Sequence, residues 1–134
     1  MQALLRAIDA LDIDGALALF APDGSVTTAF GETASGRDRV KEVIAALLGG
    51  LRRTRHDVRA EWNPENGVWI AQMSATYELS DFSLRGPYDR VMILRTGDTG
   101  INELRMYGAH ELPLPDTGRT YTEVHGAHGW LPTL

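Results

Sequence analysis

The chain has 134 residues, enough for one domain, and is 43% hydrophobic and 23% charged with a formal charge of −5. The acidic balance argues against a surface built for nucleic-acid phosphates, and the absence of cysteine excludes thiol catalysis, disulfides and thiolate-bound zinc. The opening Met1-Gln2-Ala3-Leu4-Leu5-Arg6 is amphipathic rather than signal-like, and no apolar run is long enough to span a bilayer. A cytoplasmic protein with neither nucleic-acid nor membrane partners is therefore expected.

Leu4, Leu5, Ile8 and Leu11 recur at helical spacing and predict a first helix with one buried face. Asp12 or Asp14 can cap a second short helix carrying Ala16, Leu17, Leu19 and Phe20, which the turn signal Pro22-Asp23-Gly24 stops. Ser25 to Phe30 reads as a short strand. Gly36-Arg37-Asp38 opens a third helix with Val40, Val43, Ile44, Leu47 and Leu48 on its apolar face, ended by Gly49-Gly50. The basic cluster Arg52, Arg53 and Arg55 follows, placed to complement that helix's dipole.

The period then changes. His56, Val58, Ala60 and Trp62 alternate with polar residues and predict one face of a half-buried strand. After the turn residues 63–67, residues 68–79 form a long strand with Trp69, Ala71, Met73, Ala75 and Tyr77 on one face. A strand through residues 88–94 and another from Ile101 to His110 follow, separated by a Gly/Asp turn at residues 96–100. Helices first and antiparallel strands after predict an α+β fold with three N-terminal helices packed on one sheet face. Residues 1–112 are read as the domain, and residues 113–134 as a tail. The tail carries Leu114, Tyr121, Val124, Trp130 and Leu131, so it is expected to pack on the domain or on a partner subunit.

Asp89 stands out chemically. It alternates with Val91 and Ile93, whereas Tyr88, Arg90, Met92 and Leu94 occupy the other face of the same strand. A carboxylate among apolar neighbours is costly to bury unless neutral, hydrogen-bonded or paired, which makes Asp89 a candidate acid or base. A structural carboxylate is the bland alternative.

The element order, with Asp14-Gly15, Leu19-Phe20-Ala21-Pro22-Asp23-Gly24-Ser25-Val26, Gly36-Arg37-Asp38-Arg39-Val40 and Asp89 before Thr99-Gly100-Ile101, resembles the SnoaL-like branch of the nuclear transport factor 2-like superfamily. The resemblance covers residues 3–112. It implies a cone, in which a strongly bent, mainly antiparallel sheet wraps around helices and leaves a ligand pocket at the open end. Members include polyketide cyclases, ketosteroid isomerase, scytalone dehydratase and limonene epoxide hydrolases, so the fold alone does not name a reaction. Asp89 matches the neutral acid of ketosteroid isomerase, but Leu4 and Thr28 stand where its tyrosine and its proton-moving aspartate would be, which argues against that chemistry. Met106 falls where limonene epoxide hydrolases place an aspartate of their water-holding pair.

The candidate site is accordingly Asp89 as acid, base or neutral donor, with His56 and Tyr77 assisting. Trp62, Met73, Val91, Met106 and His110 are the candidate pocket lining, although core packing alone also explains Trp62, Met73 and Met106. His125 and His128 have a spacing two metal ligands could use, but no third ligand is evident nearby. Gly97-Asp98-Thr99-Gly100 reads as a hairpin turn rather than a phosphate loop. No metal or cofactor is expected. The leading expectation is a small cofactor-independent isomerase, cyclase, dehydratase or hydrolase acting on an apolar oxygenated molecule. The rival is a non-catalytic ligand-binding or dimerisation module of the same fold. A homodimer is expected through the convex sheet face, with Tyr88, Met92, Leu94, Tyr107 and Ile70 assigned to it.

Overall fold

Among the described residues, three helices precede and interrupt a set of strands that make one six-stranded sheet. A computed structural model describes residues 1–108. The helices are α1 (Gln2–Asp9), α2 (Ile13–Ala18) and α3 (Arg37–Leu48). The strands are β1 (Phe20–Thr27), β2 (Thr33–Ser35), β3 (Leu51–Glu65), β4 (Val68–Leu79), β5 (Leu84–Gly97) and β6 (Gly100–Tyr107). Their order across the sheet is β2-β1-β6-β5-β4-β3. β3 to β6 form the expected antiparallel meander, while β1 runs parallel to β6. The sheet is curved and open, with β2 and β3 at its two edges. Among the described residues no helix is long and apolar enough to cross a membrane. The tail and the proposed domain boundary at residue 112 lie outside the described residues.

Local chemistry sets the helix boundaries. Asp12 caps α2, its Oδ1 accepting from the Gly15 N–H at 2.9 Å, an interaction worth about 1 kcal/mol at such a position. α3 begins after Gly36, whose φ of +86° suits glycine, and gives way to an extended Gly49. Arg37 Nη2 donates to the Phe20 carbonyl at 2.9 Å and ties the start of α3 to β1. The helices close over the sheet through Leu4, Leu5, Ala16, Val40 and Ile44, which join Val26, Met73, Met92, Leu94 and Leu104 in one core.

Three expectations change here. The second helix stops at Ala18, and Phe20 to Gly24 belong to β1 rather than to a helix end and turn. The β1–β6 register shifts between Phe20 and Ser25, so a sequence with turn chemistry is accommodated as an irregular stretch of strand. Gly24 is required there, because a Cβ on it would lie 2.5 Å from the Ile101 carbonyl oxygen. The basic cluster is not a helix-end feature either. Arg52 and Arg53 lie on β3 and pair with Glu78 of β4 at 2.9 and 3.3 Å, and Arg55 pairs with Asp57 at 3.1 Å. The short edge strand β2, which was not anticipated, pairs with β1 through Ala34 and Val26.

Candidate active site

Which face of each strand looks inward decides the site. On β5 the buried residues are Arg90, Met92 and Leu94, while Asp89 is exposed. Asp89, Val91 and Ile93 therefore occupy the convex face, opposite to expectation. Both faces of this strand offer apolar pairs, so its alternation alone does not specify which set faces the helices. Met92 and Leu94 are the bulkier pair and fill the core, and Arg90 is carried inward with them. The expected burial of Asp89 is overturned, and Val91 lies on the convex side rather than in a pocket wall.

A bulge on β3 divides the next expected face. His56 pairs with Ala75 and Val58 with Met73, but Ala60 then pairs with Gln72 and Trp62 with Ile70. One extra residue between Val58 and Ala60 reverses the alternation. His56 thus shares the concave face with Ala75 and Met73, whereas Trp62, 51% exposed, joins Ile70 on the convex face. Met73 and Met106 are both buried on the concave side, but only Met106 lines the cavity enclosed there, and Met73 packs in the core. His110 lies outside the described residues.

Within the concavity, α1, α3 and β1 and β3–β6 enclose a cavity of about 60 Å³. Its walls are mostly aliphatic and thioether groups, including Ile44, Leu47, Met92 and Met106. His56, Tyr77 and Arg90 supply the polar lining. This matches the usual division of a ligand site into an apolar body and a few convergent polar groups.

His56 is held from α1. Its Nδ1 lies 2.7 Å from Asp9 Oδ1, and its backbone N–H donates to Asp9 Oδ2 at 3.1 Å. Both carboxylate oxygens are thereby used on one residue, and the imidazole side chain is only 3% exposed. A carboxylate can only accept, so Nδ1 is the donor of this contact, and in the neutral tautomer that satisfies it Nε2 carries the lone pair. The carboxylate beside His56 is thus Asp9 and not Asp89, the residue His56 was expected to assist. Asp9 follows Ile8 at the end of α1 and carries no local motif, so only the packing of α1 on β3 identifies it.

Tyr77 and Arg90 form the second polar unit. Arg90 Nη2 donates to the Tyr77 hydroxyl, and the guanidinium carbon lies 5.4 Å from the Tyr77 ring centroid. His56 meets Tyr77 edge to face at 6.3 Å between ring centroids, which brings the two units together. Burial pushes the Tyr77 phenol above its ordinary range, against an opposing pull from Arg90, so the hydroxyl is neutral at working pH. Burial pushes the Arg90 guanidinium down, yet the group starts so basic that it stays a cation. Arg90 was absent from the sequence-derived site; its signal was its alternation with Met92 and Leu94. Among the described residues no three His, Asp or Glu side chains come together in a way that could hold a metal ion.

Residues 1–130 match the family described as a SnoaL-like domain. The chain belongs to the SnoaL-like family. A search of curated proteins found no match. Among solved structures, the chain is similar to a hypothetical protein with a ketosteroid isomerase-like fold from Catenulispora acidiphila, in complex with trimethylamine. The two share 15% identity over 92% of this chain and 86% of the other, with a TM-score of 0.70. It is similar to TerC co-crystallised with polyporic acid, at 17% identity over 80% of this chain and 86% of the other and a TM-score of 0.67. It is also similar to an epoxide hydrolase of the LEH-like type from M. tuberculosis, at 13% identity over 80% and 77% of the two chains and a TM-score of 0.67. At these identities the likeness establishes the fold, and the site must be argued from its own residues.

Proposed function

We propose that this SnoaL-like protein is a small enzyme that applies general acid–base catalysis to an apolar, oxygenated small molecule. The observation that carries the reading is the Asp9–His56 pair, 2.7 Å between Oδ1 and Nδ1, whose imidazole lies in the wall of a mostly apolar cavity. Asp9 holds the Nδ1–H tautomer, and His56 Nε2 takes a proton from the substrate or from a water beside it. The resulting imidazolium is stabilised by the Asp9 carboxylate and returns the proton later in the cycle. Tyr77, whose hydroxyl oxygen already accepts from Arg90, keeps its own proton to donate to a substrate carbonyl or hydroxyl. Isomerisation, cyclisation, dehydration and hydrolysis all need this combination of one mobile proton and one oriented oxygen. The three similar structures, whose descriptions mention a trimethylamine complex, a polyporic acid complex and an epoxide hydrolase, fit a scaffold that takes small molecules. In this reading Asp89, solvent-exposed on the convex face, has no part in the chemistry.

A panel of enones, lactones and epoxides, followed by NMR for turnover and for solvent deuterium entering substrate, tests the proposal. Replacing His56 by Ala should reduce any turnover by roughly 10²–10⁴-fold, the usual share of a positioned proton carrier. Turnover that survives the replacement intact would remove His56 from the mechanism.

The second reading, a ligand-binding module without catalysis, is favoured by the modest cavity and by methionines in its wall. It predicts saturable binding of panel members with no conversion of any of them.

A further inference from the structure

Among the described residues, the cavity holds a charge without a counter-charge. Arg90 is 4% exposed, and among the described residues no carboxylate pairs with it. Its neighbours are the aromatic hydroxyl of Tyr77, the phenol of Tyr88 and the apolar core. Its Nε is buried and has no hydrogen-bond partner among the described residues. Buried charges are ordinarily paired, because a lone one forfeits its hydration without compensation. A guanidinium carries five N–H donors in a fixed planar fork that matches a carboxylate, and here one interaction with a neutral phenol takes up only part of that capacity. Arg90 also lines the cavity rather than being sealed behind it.

We propose that the cavity takes a small apolar carboxylate whose carboxyl group is anchored by Arg90. This deepens the catalytic reading above and rests on the same cavity. Arg90 would hold the anionic end, Tyr77 would supply a neutral donor beside it, and the aliphatic and methionine walls would enclose the hydrocarbon body. His56, edge-on to Tyr77, would then stand close to the anchored end. The cavity of about 60 Å³ selects for compact molecules with a short alkyl or single-ring body.

The test uses the full chain and two matched pairs of probes, butyrate with butyramide and benzoate with benzamide, measured by calorimetry at neutral pH. Each pair keeps shape and exchanges a carboxylate for a neutral amide. The carboxylates should bind more tightly than their amides by roughly tenfold or more, as expected for a desolvated charge-assisted pair. Arg90→Met should abolish that preference, and Arg90→Lys should keep part of it because the charge remains while the fork is lost. If Arg90→Met does not fold, the wild-type preference and the Arg90→Lys protein decide the matter. Equal binding of acids and amides, failure of both carboxylates to bind, or an undiminished preference in the Arg90 variants overturns the proposal. The first two outcomes would include the case in which another carboxylate of the chain already occupies Arg90. His56→Ala separates this inference from the catalytic one. Carboxylate preference retained with undiminished turnover defeats only the catalytic reading, while turnover by the wild-type protein without any carboxylate preference defeats only this one.

Discussion

Asp9 closes on His56 with both of its carboxylate oxygens, one on the ring Nδ1 at 2.7 Å and one on the backbone N–H at 3.1 Å. The contact joins the last residue of α1 to the middle of an edge strand far along the chain. It has two consequences at once. It secures the first helix over the open end of the sheet, and it sets the tautomer and direction of the histidine that faces the cavity.

Asp9→Ala should therefore affect stability and chemistry together. It strands a buried ring nitrogen and removes a backbone acceptor, a loss of about 1–3 kcal/mol by the usual cost of unsatisfied buried groups. Urea unfolding should show a lower midpoint with an unchanged slope. Asp9→Asn can still accept from one donor, so it should recover part of the stability while leaving His56 without its negative partner. A variant that is as stable as the parent would mean that the Asp9–His56 contact contributes nothing measurable.

Asp89→Asn should be silent. The side chain is exposed on the convex face and away from the cavity lining. Substitutions at such positions typically change stability by no more than about 0.5 kcal/mol. Ligand affinity and any turnover should also stay within error of wild type. A clear loss of turnover in a folded Asp89→Asn protein would restore this residue to the site and overturn the assignment based on Asp9 and His56.

The element types and the antiparallel meander were legible because long stretches of period two and period 3.6 dominate their local sequence. The SnoaL-like pattern was legible from its turns and helix starts. Facing was harder. β5 presents Val91 and Ile93 on one side and Met92 and Leu94 on the other, so its period identifies a strand without identifying its inside. On β3 the bulge near Val58 separates His56 from Trp62, and a bulge has no strong signature when neither residue at it is glycine or proline. The concave placement of His56, Tyr77, Met73 and Met106 was legible in the strand alternation, although Met73 packs in the core and does not line the cavity. Asp9 and Arg90 were missed for different reasons. Asp9 acts only through a tertiary contact, and Arg90 was set aside as an outward charge when its strand was read in the opposite sense.

Tyr77 gives a pH-dependent signature. Burial raises its phenol above the ordinary value of 10.0, so the folded state retains the proton where the unfolded state begins to lose it. Its contribution to stability is full below pH 10.0 and is lost as pH rises from there through the higher folded value. Ultraviolet difference titration should show Tyr77 ionising later than an ordinary tyrosine, with its absorbance step missing in Tyr77→Phe. The substitution also removes the hydroxyl that receives Arg90 Nη2, and it should destabilise the protein by about 1–3 kcal/mol at neutral pH. A Tyr77 step at the ordinary pH would contradict the buried placement.

The convex face supports a last prediction, a homodimer, with a membership different from the one the sequence suggested. Met92 and Leu94 are core residues, and Tyr88 shares their face of β5 in register with buried Ala75, so none of the three belongs to the convex patch. Their places are taken by Val91 and Ile93, which register beside Tyr107 and Arg105 of β6, and by Ile70, which registers beside Ile93 and Trp62. Trp62 and Tyr107 are 51% and 46% exposed, so this face presents two large aromatic groups around a β-branched centre. Glu103 lies between Arg95 and Arg105 at 3.5 and 3.2 Å, giving the patch a charged border. An apolar centre with a polar rim is the pattern of a protein interface, and a two-fold pairing of this face would bury it in both copies. Sedimentation equilibrium at micromolar concentration should give twice the chain mass. Ile93→Glu, which puts a charge at the centre of the patch without touching the cavity lining, should shift the protein to monomer while leaving ligand binding intact. A wild-type protein that remains monomeric at high micromolar concentration would show that this face is simply tolerated in water.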